Sequence, residues 1–476
     1  MNKEIAEQFQ PIFYPESVAV IGASSSLHKW GAQTIRRLKE AGYTGTILPI
    51  NPRENVIQGL PAYHSLSDVP GKVDLAIITV PAEAVPQSMR ECVQKGIKGA
   101  VVITADFAET GNHGQELQDE IVNIARQGGM RFVGPNCFGV WSATPKLNTL
   151  PTTPRKGGIG LISQSGSLSH VLARAAASRG YGMSKIVSIG NQADINVVDC
   201  LEYLANDPET EAIALYLEGY RDGRKLFQLA REMAAKKPVV VYKAGRNPGA
   251  ARVALSHTAS ISGEDKIFDA MCRQVGFIRS YDVLGTMDMA GILTRQPLPK
   301  GNRMGIQGTG GQCMVLADGC LSAGMEIPVL KDEDISFIIA GIDFPSHAPA
   351  PRNPIDFGGG HTALKDATVL NRLAQLDYID GIIANRPTTF HADSGGDSEK
   401  LDLEVGALLA EIPQKYGKPI VLISLTTITG DGKVAINKTM ETALANAGIP
   451  HYASIEEAVR AMSTLMKYAE IRRKFA

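Results

Sequence analysis

Three times along this chain a short apolar run breaks into a glycine-rich turn and then a helix-like stretch. The three are "SVAVIGASSS" (Ser17 to Ser26), "GIGLISQSGSLS" (Gly158 to Ser169) and "RMGIQGTGGQ" (Arg303 to Gln312). An apolar strand that ends in glycine and feeds a helix is half of a βαβ crossover, and crossovers build parallel sheets. The runs that follow fit the same pattern: "GTILPINP", "VDLAIITVP", "KGAVVITADF" and "MRFVGPNCFG" behind the first, "SKIVSIGN", "EAIALYLEG" and "KPVVVYKAG" behind the second. They are nearly continuous in apolar residues, as strands covered on both faces are.

Proline and glycine cluster in "NTLPTTPRKGG" and "TRQPLPKGN", which divide the 476 residues into three α/β units, 1–148, 149–297 and 298–476. Gly166 and Gly311 lie 145 residues apart, and the helices behind them run into the matching segments "ASRGYGM" and "LSAGMEI". Units two and three therefore read as a degenerate duplication. The chain closes on "SIEEAVRAMSTLMKYAEIRRKF", where Val459, Met462, Leu465, Met466 and Ala469 mark one helix face.

A net charge of -1 and a pI near 6.8 offer no global field to nucleic acid or an anionic membrane. No apolar run approaches the ~18 residues of a spanning helix, and "MNKEIAEQFQPIFYPE" lacks the apolar core of a signal peptide. Six cysteines without a CxxC pair form neither a disulfide framework nor a zinc pattern. The expectation is a cytoplasmic protein with no metal site of its own.

Several stretches carry chemistry. Gly22, Ala23 and Ser24 follow the first strand, where a glycine-serine turn ahead of a helix presents backbone N–H groups to a phosphate, or is simply a βα turn. Arg53, behind the second strand, stands where a nicotinamide-binding fold would place an acid, which argues against an oxidoreductase. Asn136 and Cys137 fall at the carboxyl edge of the sheet, where ligands of such folds gather, although a buried packing cysteine is the commoner fate. Ser165-Gly166 and Gly310-Gly311 open helices from the duplicated units, and two such N-termini together would clamp one phosphoryl group.

His257 lies in "AGRNPGAARVALSHTASISGEDKIF", among small residues and with Lys243, Arg246 and Arg252 but no acid up to Gly263. It is either a histidine satisfied by a carbonyl or a nucleophile able to take up and hand on a phosphoryl group. Glu218, at the end of a strand of the same unit, is either a surface acid or the carboxylate that orients it.

"IGAS", "INPR", "GPNCFG", "SQSGSLS", "SIGNQADINVVDCLEYLANDPET", "YLEG" and "ALSHTASISG" occur in the order and spacing of the NDP-forming acyl-CoA synthetases, relatives of succinyl-CoA synthetase. The resemblance covers essentially the whole chain and is to an α subunit. It implies an N-terminal CoA-binding Rossmann domain followed by two succinyl-CoA-synthetase-like flavodoxin domains. It places Gly22, Ala23, Ser24 and Arg53 near the nucleotide end of CoA, Val80 and Pro81 beside the pantetheine, and Asn136 and Cys137 near the thiol. His257 matches the transiently phosphorylated histidine and Glu218 its support, while Ser165, Gly166, Gly310 and Gly311 match the phosphate-holding helix termini. "NPIDFGGG" (Asn353 to Gly360) resembles a glycine-rich segment of the succinyl-CoA synthetase β subunit.

The family's loop reads closer to SHTGSLAG, and Ala259, Ile261 and Ser262 depart from it. No segment resembles an ATP-grasp domain or a Walker A loop, so the resemblance implies a separate ATP-grasp β subunit. That subunit would handle ATP or ADP with Mg2+, in an α2β2 assembly acting on a small carboxylic acid, CoA and phosphate. The competing reading is a CoA-binding regulatory or scaffold protein that kept the fold and lost turnover.

Overall fold

β-Branched residues pack on both faces of a pleated surface, and the Gly, Pro and Asn residues behind them end the pairing. The computed structural model describes residues 3–247, 249, 264–343, 351–357, 362–387, 398–424 and 438–475. They form two compact units, Met1–Ala290 and Gly291–Ala476.

In unit one the first sheet is built from β1 (Ser17–Ile21), β2 (Thr46–Ile50), β3 (Leu75–Ile78), β4 (Gly99–Val102) and β5 (Arg131–Val133). Their order is β2-β1-β3-β4-β5, all parallel, with Val18 opposite both Ile47 and Leu75. The second sheet contains β6 (Gly139–Ser142), β7 (Leu147–Asn148), β8 (Lys156–Ser163), β9 (Met183–Ser188), β10 (Ala212–Leu217), β11 (Val239–Lys243) and β12 (Ile278–Ser280). It is ordered β12-β11-β10-β8-β9-β6-β7. In unit two β13 (Met304–Gly308), β14 (Ile355–Asp356), β15 (Gly381–Asn385), β16 (Ile420–Ile423) and β17 (His451–Tyr452) form a parallel sheet in the order β14-β13-β15-β16-β17.

The parallel strands of all three sheets therefore share one winding. The chain steps to one side of its first strand and then crosses to the other, which opens a crevice at the carboxyl ends. Residues 139–148, placed at the end of the first unit from sequence, instead pair antiparallel on the edge of the second sheet, with Ser188 opposite Gly139. Nothing in their composition separates such a hairpin from the linker behind it.

One apolar cluster runs through both sheets of unit one, from Val20 and Val133 to Val187 and Leu215. Helix α1 (Lys3–Phe13) is part of it: Phe9 and Phe13 stack on Tyr203 with ring centroids 4.6 and 5.1 Å away. Such pairs add about 1 kcal/mol each beyond the area they bury. Arg131 at the end of the first sheet pairs with Asp194 (2.9 Å) and Asp199 (3.2 Å) beyond the second. In unit two the alternation along the strands sends Ile355, Ala384 and Leu422 to one face and Ile306, Ile383 and Val421 to the other. The C-terminal helix Ile455–Phe475 covers the latter face with Ala458, Met462 and Leu465.

Lys185 of β9 is fully buried and meets Glu209, which also accepts from Thr144 and from Tyr14 (2.9 Å); Asp207 lies 3.7 Å from the ammonium. Burial pushes the Glu209 carboxyl up, but hydrogen bonds from Lys185, Thr144 and Tyr14 outweigh it and bring it down from 4.5 to about 2. A folded-state value below the unfolded one stabilises the protein above the unfolded value and is lost as pH falls through the folded one. Glu209→Gln is expected to cost roughly 2 kcal/mol at pH 7, under the usual penalty for breaking a buried pair because Asp207 remains. It should also flatten the acid limb of stability between pH 4.5 and 2 in denaturant titrations; an unchanged limb would remove Glu209 from the acid response.

No helix among the described residues is long and apolar enough to cross a membrane.

Candidate functional site

The carboxyl ends of both sheets of unit one open onto a single cavity of about 710 Å³. That volume is in the range that encloses most of a cofactor-sized ligand. From the first sheet it is lined by Gly22, Ala23 and Ser24 behind β1, Asn51 behind β2, Val80 and Pro81 behind β3, and Asn136 and Cys137 behind β5. The second sheet contributes Gln164, Ser165 and Gly166 behind β8 and Gly190 and Asn191 behind β9. Residues predicted from separate stretches of sequence thus share one space.

The turn behind β1 differs from a phosphate cradle at a helix start. Helix α2 (Trp30–Ala41) begins eight residues past Gly22, and the intervening donors are partly used: Ser25 N–H reaches Glu54 (3.2 Å) and Ser26 N–H the Ser24 hydroxyl (3.1 Å). The glycine that lets the helix approach the strand end is Gly31, where a Cβ would fall 2.2 Å from the Gly22 carbonyl oxygen. Asn51 ties the second turn to the first. Its Nδ2 donates to Ala23 O (2.7 Å) while its Oδ1 accepts from the N–H groups of Arg53 (2.8 Å) and Glu54 (3.1 Å). Arg53 is exposed and outside the cavity lining, whereas His28, Lys29 and Trp30 line it.

The "GPNCFG" turn is stitched to the segment behind β9. Asn191 N–H donates to Pro135 O (3.0 Å), Ala193 N–H to Gly134 O (3.1 Å), and Phe138 N–H to the Ser188 hydroxyl (3.0 Å). Gly190, at φ +52, makes this seam possible: a Cβ there would lie 2.2 Å from Pro135 O and 2.5 Å from Asn136 O. Cys137 is buried, its thiol donates to Val102 O (3.3 Å), and burial pushes that thiol up to about 12. It stays protonated at neutral pH and cannot serve as a thiolate.

Helix α5 (Gly166–Ser178) starts at the cavity wall. Ser165 caps it, its hydroxyl accepting from Leu168 N–H (3.3 Å), and the remaining first-turn N–H groups have no partner within the helix. Phe138 packs against Gly166 and meets Trp30 edge-on with centroids 5.3 Å apart. Glu218 is 5% exposed, so it is not the surface acid its strand-end position allowed. Burial and then the adjacent Glu218 carboxylate, which also accepts a hydrogen bond from its hydroxyl, push the Tyr216 phenol well up. The Glu218 backbone N–H and that of Gly219 (3.0 Å) both donate to Gln164 Oε1.

His257 and Arg252 lie outside the described residues. The other two cations of that stretch are engaged. Lys243 ends β11 fully buried, and burial lowers its ammonium pKa against the opposing pull of Asp265. Arg246 stacks over Tyr242 and Tyr281, at 5.7 and 5.4 Å from their centroids. Beyond the stretch, helix α8 (Asp265–Val275) is held by Arg279, which reaches Asp265 (3.1 Å) and Asp269 (3.0 Å).

In unit two Gly310 and Gly311 precede and open the helix Gly311–Ser322, both exposed, and Gly310 N–H donates to Asp356 (3.0 Å). Of "NPIDFGGG", Asn353 to Phe357 are described and Gly358 to Gly360 are not. Among the described residues no group of three His, Cys, Asp or Glu could hold a metal ion. Sequence reasoning missed Asn51 and Gln164 as site residues, although both lie inside quoted motifs. Their signal was a carboxamide directly behind an apolar strand.

A family model described as a CoA binding domain matches residues 16–143, and one described as a succinyl-CoA ligase like flavodoxin domain matches residues 156–293. The chain is 35% identical to the α subunit of ADP-forming acetate–CoA ligase II of Pyrococcus furiosus, over 96% of this chain and 97% of that one. It is 33% identical to the ADP-forming 4-hydroxybutyrate–CoA ligase of Nitrosopumilus maritimus, over 97% of this chain and 64% of that protein. Its backbone is similar to that of acetyl-coenzyme A synthetase 1 of Candidatus Korarchaeum cryptofilum in complex with phosphate and ADP. The TM-score is 0.85 at 32% identity, covering 98% of this chain and 97% of that one.

Proposed function

This chain belongs to the family of ADP-forming acid–CoA ligases, and from that premise we propose that it binds CoA and carries acyl and phosphoryl transfer for such an enzyme. CoA occupies the cavity of unit one. Its nucleotide end is served by Gly22, Ala23 and Ser24 and by the exposed Arg53 outside the lining; its pantetheine runs past Val80 and Pro81; its thiol comes to Asn136 and Cys137. Ser165 and Gly166 hold phosphate at the start of α5, and Gly310 and Gly311 do the same for unit two. A partner ATP-grasp subunit supplies ATP or ADP with Mg2+, in an α2β2 assembly located in the cytoplasm.

In the direction of thioester cleavage, a phosphate oxygen attacks the acyl carbon and the CoA thiolate leaves, giving an acyl phosphate. A neutral ring nitrogen of His257 then attacks phosphorus, the carboxylate leaves, and the phosphohistidine passes its phosphoryl group to ADP. Synthesis is the same sequence reversed, since every intermediate is an activated species. Glu218 accepts a hydrogen bond from the N–H of the other ring nitrogen and supports the cationic adduct.

The observation that carries this reading is the convergence of the CoA-domain strand ends with the α5 N-terminus and with Gln164, which accepts from the Glu218 N–H, in one cavity. Glu218→Gln tests it. With an acyl-CoA, phosphate and Mg2+, uptake of an acid-labile, base-stable phosphoryl group should fall by roughly a hundredfold, within the usual range for acid–base support. CoA binding should stay within twofold. Equal losses of both would mean disruption of the fold, and a wild-type chain that binds CoA yet makes no thioester with its ATP-grasp partner would favour a scaffold.

A further inference from the structure

Gln164 follows β8, is 3% exposed, and lines the cavity directly ahead of the α5 cap. Its Oε1 accepts from two backbone N–H groups, those of Glu218 and Gly219. An amide nitrogen cannot face two donors, so the carboxamide has one allowed orientation and its Nε2 is turned away from that turn. Nε2 is buried and has no hydrogen-bond partner. A buried donor in that condition is unfavourable, and an acceptor from a ligand would offset the cost. Beside it begin the N–H groups of Gly166 and Ser167, left without acceptors by the geometry of a helix start.

We propose that Gln164 is a substrate-binding residue whose Nε2 donates to an anionic oxygen seated at the N-terminus of α5, a phosphoryl oxygen of phosphate or acyl phosphate, or an oxygen of the acyl carboxylate. This rests on the ligase reading and adds to it. The two readouts of that oxygen are linked through one side chain. Whatever Nε2 grips is joined through Oε1 to the backbone of Glu218, so substrate occupancy and the position of Glu218 share a single rigid amide.

The experiment compares wild type with Gln164→Glu and Gln164→Leu in the full chain with its ATP-grasp partner. Gln164→Glu keeps an acceptor for Glu218 and Gly219 but turns the donor into an anionic oxygen. It should raise KM for phosphate in thioester cleavage, or KM for the acid in synthesis, by at least tenfold, with KM for CoA and thermal stability close to wild type. A change confined to phosphate assigns the phosphoryl oxygen, and one confined to the acid assigns the acyl oxygen. Gln164→Leu removes both functions and should lower stability as well. The proposal is overturned if Gln164→Glu leaves both KM values within twofold, or if it weakens CoA and stability as Gln164→Leu does. Calorimetry with inorganic phosphate on the CoA-bound chain separates this from failure of the ligase reading. Tenfold weaker phosphate binding by Gln164→Glu upholds the donor to a phosphoryl oxygen even without turnover, whereas equal phosphate binding together with an unchanged KM for the acid overturns the proposal.

Discussion

His257→Ala is expected to abolish phosphoryl uptake from an acyl-CoA and phosphate and to lower turnover by at least about a thousandfold, as loss of a covalent nucleophile does. No other side chain in its sequence neighbourhood can replace it: Ser256, Thr258 and Ser260 are weak nucleophiles at neutral pH without an adjacent base. The ring attacks only in its neutral form, so the wild-type rate should climb as rising pH removes the ring's extra proton and then level. CoA binding should be untouched, because the cavity lining comes from residues 22–191. Labelled phosphate followed by acid and alkali washes gives the answer directly. Label that persists in His257→Ala would move the phosphoryl carrier to another residue and take the proposed sequence of steps with it.

Gly190→Val should unseat the site from the structural side. At φ +52 any side chain is strained, and here the first carbon would also meet two carbonyl oxygens at 2.2 and 2.5 Å that belong to the "GPNCFG" turn. Relief requires parting that turn from β9, so we expect a loss of roughly 3 kcal/mol in stability and at least tenfold in CoA affinity. Gly180→Val is the control. It too has a positive φ, +73, but nothing within 4 Å of an added Cβ, so it should cost only about 1–2 kcal/mol from backbone strain and spare CoA. Melting curves and CoA titrations that could not tell the two variants apart would show the seam to be irrelevant to the site.

The repeated strand-turn-helix pattern was legible because near-continuous apolar runs such as Leu75–Ile78 and Val239–Val241 have few alternatives to a covered parallel strand. Val80 and Asn136 were legible as neighbours because carboxyl ends of parallel strands share one edge, whereas Ser165 joins them from the second sheet, which the sequence reading had not brought there. What did not follow came from contacts between distant stretches. Apolar spacing alone would put Val171 with Leu172 and Ala176 on the buried face of α5, yet it is exposed, and the buried stripe is Ser169, Leu172, Ala173 and Ala176. The serine fits because its hydroxyl bonds back to Gly166 O (2.6 Å), which periodicity of apolar residues does not register. Gly31 lies outside the quoted strand-turn motif because the loop from Ala23 to Lys29 delays the helix while the close approach to Gly22 persists. Glu54 held no place in the sequence reading, since only the fold brings it to Ser25.

The stacking of Phe9 and Phe13 on Tyr203 has a bearing on biosynthesis. Helix α1 cannot finish packing until a residue some 190 positions later has emerged and folded. Until then two phenylalanines wait in the open, and at elongation rates of ~5–20 residues per second that wait is on the order of tens of seconds. A nascent chain halted short of Tyr203 should accordingly be the species most avidly held by chaperones.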